Sequence, residues 1–232
     1  MSFIKVSDLS LGYEGKTVVS GLNFEVNRGD FLCIIGDNGS GKSTLMKAML
    51  GLKKPLSGKI EFGDGYSKND VGYLPQQTDI QKDFPASVKE VVISGRLNKS
   101  GWRPFFNARD KRYAGEAIEK LGLTELADRC FRDISGGQQQ RVMLARALCA
   151  TGSVLYLDEP VAGLDPSAIA EMYEITGRLN SEDKVTIIMI SHDVDQTVKY
   201  ATHVLRIGSA GSLFCTKEEY IALTGGGGVE QA

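Results

Sequence analysis

Nine consecutive residues, Gly36-Asp37-Asn38-Gly39-Ser40-Gly41-Lys42-Ser43-Thr44, constrain this chain more than any other stretch. They fit G-x-x-x-x-G-K-[ST], the pattern of a loop that cradles the phosphates of a nucleotide triphosphate. Such a loop needs a strand before it and a helix after it. Phe31-Leu32-Cys33-Ile34-Ile35 is an unbroken apolar run, as expected of a buried parallel strand, and Leu45, Met46, Met49 and Leu50 fall on one face of a helix. Without a Cβ, Gly36, Gly39 and Gly41 can take positive φ and aim successive backbone N–H groups at phosphate oxygens. The start of the helix adds partial positive charge. Lys42 then sits near the β- and γ-phosphates, and the Ser43 hydroxyl is the expected Mg²⁺ ligand.

The chain has 232 residues, 42% of them hydrophobic, enough for a sizeable core in one domain with an insertion or in two small domains. Lys and Arg total 27 against 29 Asp and Glu, so no broad basic surface is available and nucleic acid is not expected as a bulk ligand. The start Met1-Ser2-Phe3-Ile4-Lys5 does not resemble a leader, and no stretch approaches the ~20 apolar residues that cross a bilayer. Work at a membrane would require another chain to span it. Cys33, Cys130, Cys149 and Cys215 have no C-x-x-C spacing, and the histidines are His192 and His203, so a structural zinc site is not expected. Cys33 and Cys149 lie in apolar segments and read as reduced core residues.

In chain order, Phe3 to Leu11 and Leu22 to Val26 alternate apolar with polar residues, predicting a small antiparallel N-terminal β layer. Tyr13 falls between them, in a glycine-flanked loop. Ser57 to Phe62 and Asp70 to Leu74 read as two short strands joined by a hairpin turn. From about residue 79 the character becomes helical. Ser87 with Glu90 is a capping-box pattern, and Asn107 with Asp110 opens a longer helix reaching Leu121. This predicts an inserted helical subdomain to about Ile134, or over 79–150 if the helix capped by Ser135 is included. Val142, Leu144, Ala145 and Leu148 of that helix should face inward. Strand Val154 to Leu157, a helix from Asp165-Pro166 to about Leu179, and strand Val185 to Ile190 then alternate as in a parallel sheet. Thr216 with Glu219 caps a last short helix, and 225–232 reads as a flexible tail after a domain spanning 1–224. The fold class expected is α/β: a phosphate-loop core with a mainly parallel sheet, an antiparallel β layer and a helical insertion.

Three further points carry chemistry. Asp158-Glu159 ends a buried strand at the sheet edge where ligands of such folds bind, so one carboxylate can hold Mg²⁺ and the other polarise a water. His192 follows the next strand and arrives at the same edge, able to donate to a γ-phosphate. Ser135-Gly136-Gly137-Gln138 places a hydroxyl and bare backbone N–H groups at a helix start, a second anion site. One γ-phosphate cannot fill two separate sites, so the second is expected to serve nucleotide held by another copy, in a two-fold head-to-tail dimer.

With these residues in place, the chain resembles the nucleotide-binding subunit of an ATP-binding-cassette transporter from about Ile4 to Leu223. The resemblance implies that Tyr13 stacks on adenine, that Gly36 to Thr44 is the Walker A loop and that Gln76 is the Q-loop glutamine, sensing Mg²⁺. It implies that Ser135 to Gln138 is the signature, with Ile134 where leucine is commoner, and that Asp158 and Glu159 are Walker B and the catalytic base. Asp165 falls in the D-loop, in Gly163-Leu164-Asp165, and His192 is the switch histidine. ATP and Mg²⁺ are the implied cofactors. The implied partners are a second cassette, transmembrane permease subunits and an extracytoplasmic solute-binding protein, with the chain peripheral on the cytoplasmic side of the membrane. The segment Asp83 to Val92 followed by Gly95-Arg96 is similar to importers of zinc, manganese, iron or iron chelates.

A soluble cassette acting on nucleic acid or ribosomes is the alternative. Those proteins usually carry two cassettes or long heptads, and neither is present here. A phosphate-loop GTPase would need Asn-Lys-x-Asp, whereas the nearest string is Ser67-Lys68-Asn69-Asp70. Trp102, Phe105 and Phe106 cluster in a loop of the insertion, either to meet a partner or to fill the small core beneath it.

Overall fold

The computed structural model describes residues 2–13, 16–67, 70–76, 85–101, 103, 105–151, 153–208 and 211–225. Trp102, the Asp83-Phe84 pair and the tail beyond Gly225 lie outside the described residues. The chain divides into two compact units, one formed by Met1–Tyr66 with Leu179–Ala232 and the other by Ser67–Arg178.

The first unit opens with β1 (Ile4–Tyr13) and β2 (Lys16–Val26), followed by β3 (Phe31–Gly36), α1 (Lys42–Met49) and β4 (Ser57–Phe62). β1 is the centre of an antiparallel sheet of order β2-β1-β4. Its alternation buries Ile4, Val6, Leu9 and Leu11. The alternation is interrupted at Asp8, which takes φ 46 where the register against both neighbours shifts. Asn23 satisfies the distorted backbone, accepting from Asp8 N at 2.9 Å and donating to the Asp8 carboxylate at 3.0 Å. β4 accommodates the bulge with Gly58, where a Cβ would stand 2.3 Å from Asp8 O. Both strands reach further than the alternation predicts. Tyr13 is the last residue of β1 and pairs with Lys16, so it stands at a strand end and not in a loop.

The same unit holds β7 (Thr186–Ile190), α7 (Val194–Tyr200), β8 (His203–Gly208), β9 (Gly211–Thr216) and α8 (Lys217–Thr224). β3 lies parallel between β7 and β8, with Ile34 opposite both Ile190 and Leu205, and β9 closes the row antiparallel to β8. Residues 31–35 and all of β7 are buried, as strands covered on both faces must be. Cys33, Val204, Cys215 and Tyr220 pack in one cluster, and burial raises the thiol pKa of Cys33.

The second unit contains β5 (Val71–Leu74), α2 (Val88–Ile93), α3 (Leu97–Ser100), α4 (Ala108–Lys120), α5 (Gly136–Ala150), β6 (Val154–Asp158) and α6 (Pro166–Ser181). β5 pairs in parallel with β6, while β4 pairs with β1, so the hairpin expected between β4 and β5 does not form. Local signals did better. Capping boxes form at Ser87 with Glu90, Asn107 with Asp110, and Thr216 with Glu219. Gly95 lets the turn after α2 approach α5, since a Cβ there would stand 2.2 Å from Arg146 O. Phe105 is 82% exposed and so does not fill the core under the helices.

Asp110 is the polar centre of this unit. Its carboxylate is 2% exposed and accepts from Arg96 Nε at 3.2 Å, Arg103 at 3.4 Å and Asn107 N at 3.1 Å. Burial alone would raise its pKa, but the Asn107 hydrogen bond and the two guanidiniums outweigh it and hold the carboxyl below its usual range. The folded-state pKa is therefore depressed. Its contribution is complete above about pH 4 and is lost as pH falls through the lower folded value. Asp110→Asn should destabilise the protein by roughly 3 kcal/mol at neutral pH by leaving Arg96 without its buried countercharge. Thermal melts should show this deficit at pH 7 and a smaller one at pH 3, whereas a deficit independent of pH would mean that packing, not charge, is lost.

Candidate functional site

The residues singled out in the sequence are divided between the two units. In the first unit β3 ends at Gly36, with φ 146 and opposite Ile207, whose carbonyl oxygen would lie 2.1 Å from any Cβ at that position. Only glycine lets the chain turn there. Gly39 (φ 78) carries the loop onward, and Gly41 (φ 101) caps α1 where a Cβ would stand 2.1 Å from Val19 Cγ2. Leu45 N, bonded to Gly41 O at 2.8 Å, begins the helical ladder, so the N–H groups of the preceding turn are those a helix leaves for a ligand. Asp37, Asn38 and Gly39 are exposed at the loop tip.

Lys42 is only 5% exposed, and its ammonium donates to Gly36 O at 2.7 Å and Asp37 O at 2.9 Å. The ammonium is thereby fixed over the loop. Ser40 Oγ is buried with no hydrogen-bond partner among the described residues. A buried hydroxyl of that kind, inside a cradle that a Cβ would fill, fits a phosphate oxygen. Ser43 is half-buried at the start of α1 and Thr44 is buried. Tyr13 joins this group: its phenol hydrogen-bonds Thr44, which lowers its pKa, as do the charges of Lys47 and Lys53. The Lys53 ammonium lies 3.5 Å from the Tyr13 ring centroid, and the ring is 49% exposed.

Parallel pairing also brings His192 to this edge. Ser191 N donates to Ile34 O at 3.2 Å, which continues the ladder two residues before β3 ends. His192 follows, exposed, and Asp193 caps α7 through Gln196 N at 3.1 Å.

In the second unit β5 and β6 end together, Leu74 opposite Leu157. Pro75-Gln76 and Asp158-Glu159 therefore emerge side by side, and Gln76 Nε2 donates to Glu159 Oε2 at 3.0 Å. Asp158 is 6% exposed, and its charge adds to burial in raising the pKa of Tyr73. Extended backbone would aim the two carboxylates to opposite sides. The structure differs, because β6 stops at Asp158 and Glu159 turns to φ 51. Asp158 stays in the sheet while the glutamate swings to Gln76.

Ser135 caps α5, accepting from Gln138 N at 3.3 Å, while Gln138 Oε1 accepts from Ser135 N at 3.0 Å. The two signature glycines have different reasons to be small. At Gly137 a Cβ would lie 2.8 Å from Ala168 Cβ, so α5 and α6 touch there. At exposed Gly136 an added Cβ would meet no described atom within 4 Å beyond its chain neighbours and its own helix backbone. Asp165 caps α6, its carboxylate accepting from Ser167 N, Ser167 Oγ and Ala168 N, and these bonds, the Ser167 hydroxyl's above all, hold its pKa below the ordinary range. Gln140 was not singled out in the sequence. It is 2% exposed and donates to Pro160 O at 2.5 Å, just after Glu159. A buried polar residue on the inward face of α5 was the available signal.

Strand, glycine loop and capped helix define a nucleotide-triphosphate-binding α/β protein. Residues 19–162 match the ABC transporter family. The chain is 36% identical over 210 residues to the zinc uptake system ATP-binding protein ZurA of Listeria innocua, covering 88% of this chain and 82% of the relative. It is 36% identical over 207 residues to the manganese transport system ATP-binding protein MntB of Halalkalibacterium halodurans, covering 88% and 82%. Among solved structures, an ABC transporter in an inward-facing conformation superposes with a TM-score of 0.86 at 30% identity, over 97% of this chain and 88% of that one. The chain belongs to the ABC transporter family, as an ATP-binding subunit with ATPase activity. The fold class expected from the sequence, with its antiparallel layer, mainly parallel sheet and helical insert, is the one found. Among the described residues no helix is long and apolar enough to cross a membrane.

The difference between the signature glycines can be measured on the isolated chain. Gly137→Ala should lower the melting temperature by forcing α5 from α6, whereas Gly136→Ala should be neutral or stabilising by up to about 1 kcal/mol, because alanine is the better helix former. Equal losses in both would mean that Gly136 also serves packing within the chain.

Proposed function

We propose that this chain hydrolyses ATP to drive uptake of zinc or manganese through a membrane permease. It would work as a head-to-tail pair of cassettes on the cytoplasmic face, with an extracytoplasmic solute-binding protein delivering the ion. The observation that carries this is similarity over 88% of the chain to the ATP-binding proteins of a zinc and of a manganese system. Residues 1–224 would act as one ATPase domain with the helical segment 79–150 inserted.

In this account Tyr13 stacks on adenine, and Gly36, Asn38, Gly39, Ser40, Gly41 and Thr44 enclose the phosphates with Lys42. The hydroxyl of Ser43, the carboxylate of Asp158 and the amide of Gln76 are hard oxygen donors of the kind Mg²⁺ takes. Mg²⁺ would neutralise charge that develops on the β- and γ-phosphates. Glu159 would take the proton of the attacking water, with Gln76 donating to its carboxylate and so fixing one oxygen. His192 donates to the γ-phosphate. Ser135, Gly136, Gly137 and Gln138, with Asp165, would close over ATP held by the other copy. Gly136 supports that placement, because it is exposed at a helix start and an added Cβ would meet no other described atom within 4 Å, which leaves its surface open to a second copy.

Glu159→Gln should lower turnover by about 10²–10⁴-fold while ATP still binds. Light scattering should find that variant dimeric with ATP and monomeric without it, and adding Ser135→Arg should abolish the dimer while ATP stays on the monomer. A variant monomeric at every ATP concentration would contradict the shared site. For the cargo, cells lacking the gene should accumulate less zinc or manganese under limitation, restored by the wild-type gene and not by Glu159→Gln; unchanged content of both ions would refute metal uptake.

A further inference from the structure

The backbone at Glu159 is in a region that non-glycine residues avoid, and something must hold it there. One local restraint is the hydrogen bond that Ala162 N donates to Glu159 O at 3.2 Å. The next residue, Pro160, has no N–H, so its carbonyl oxygen is its one polar backbone atom. That oxygen receives the Gln140 amide at 2.5 Å, from the second turn of α5.

Gln140 is an expensive choice for stability alone. It is 2% exposed, and its own Oε1 is buried with no hydrogen-bond partner among the described residues. An apolar side chain of the same volume would avoid both costs, so what the amide contributes lies at its other end. The same half of α5 is fastened to the segment beyond Glu159 at two more points. Gly137 meets Ala168 with no room for a Cβ, and Arg141 pairs with Glu171 at 2.8 Å. Thus the first half of α5 is tied to α6 at two points and, through Gln140, to the residue next to Glu159.

We infer that Gln140 is a positioning residue for Glu159, fixing the left-handed turn of the catalytic glutamate through Pro160 O and making its geometry follow any shift of the signature end of α5. The inference rests on Glu159 being the base. Because the signature closes on ATP held by the other copy, closure at one nucleotide is reported to the glutamate serving the other through a single buried amide. Gln76 holds the Glu159 carboxylate, and Gln140 holds the carbonyl of the next residue.

The test uses the full chain and steady-state ATP hydrolysis. Gln140→Met keeps the volume and removes the donor. It should lower kcat by roughly 10–100-fold with KM for ATP within about twofold, as expected of a misplaced group that does not bind substrate. In the Glu159→Gln background the same change should cause no further loss, because its effect runs through the carboxylate already removed. Gln140→Glu gives a second readout should the methionine variant fail to fold. A buried glutamic acid donates to Pro160 O only while protonated, so kcat relative to wild type at the same pH should fall as pH rises through its elevated pKa. A wild-type kcat in Gln140→Met, an added loss in the Glu159→Gln background, or a Gln140→Glu profile parallel to wild type would overturn the inference. If Glu159→Gln itself hydrolyses ATP normally, the assignment of the base falls first, and the two failures are thereby distinguished.

Discussion

A buried ammonium is costly unless the protein organises itself around it, and the first unit is organised around Lys42. Its donors reach Gly36 O and Asp37 O, which requires the chain to double back within six residues. That turn requires positive φ at Gly36, Gly39 and Gly41. Gly36 in turn lies flush against Ile207 O, so β8 must run parallel beside β3, and the row continues to β7. Pairing with β7 delivers His192 to the edge where the loop begins. β1 and β2 complete the arrangement: Val19 seals Gly41, and Tyr13 reaches Thr44. One charge and its carbonyl cage thus account for the glycines, the strand order and the placement of two distant side chains.

The second unit solves a different problem, that of presenting two adjacent carboxylates with different duties. A regular strand would separate them by pleating. Here burial keeps Asp158 in the sheet, and a left-handed residue redirects Glu159 toward Gln76. Buried Gln140 of α5 holds Pro160 O next to the turn, and Asp165, whose carboxylate accepts from three donors, caps α6 beyond it. Further out, the Arg96-Asp110-Arg103 network ties the helical segment to itself and leaves Phe105 displayed.

Features set by neighbours in the chain could be read from the sequence. The phosphate loop, the capping boxes at Ser87, Asn107 and Thr216, and the buried runs of β3, β6 and β7 each depend on a few consecutive residues. What could not be read depends on distant partners. Gly12 and Gly15 around Tyr13 read as a loop, although the strand runs through to Tyr13, and β4 followed by β5 reads as a hairpin because the partner of β5, β6, lies about eighty residues on. The left-handed turn at Glu159 and the amide that holds it join residues twenty positions apart, and no local pattern announces them. Fold class survived these errors because the parallel strands are defined by their own burial.

The central claim is that a complete ATP site needs the phosphate loop of one copy and the signature of another. Two proteins in the Glu159→Gln background, one carrying Asn38→Cys and the other Gly136→Cys, can be mixed and oxidised with and without ATP. Because each protein carries one of the two engineered thiols, a bond between them must join two copies. The account predicts a mixed covalent dimer on a non-reducing gel that forms with ATP and not without it. A mixture that stays monomeric with saturating ATP, or that cross-links equally in its absence, would contradict the shared site.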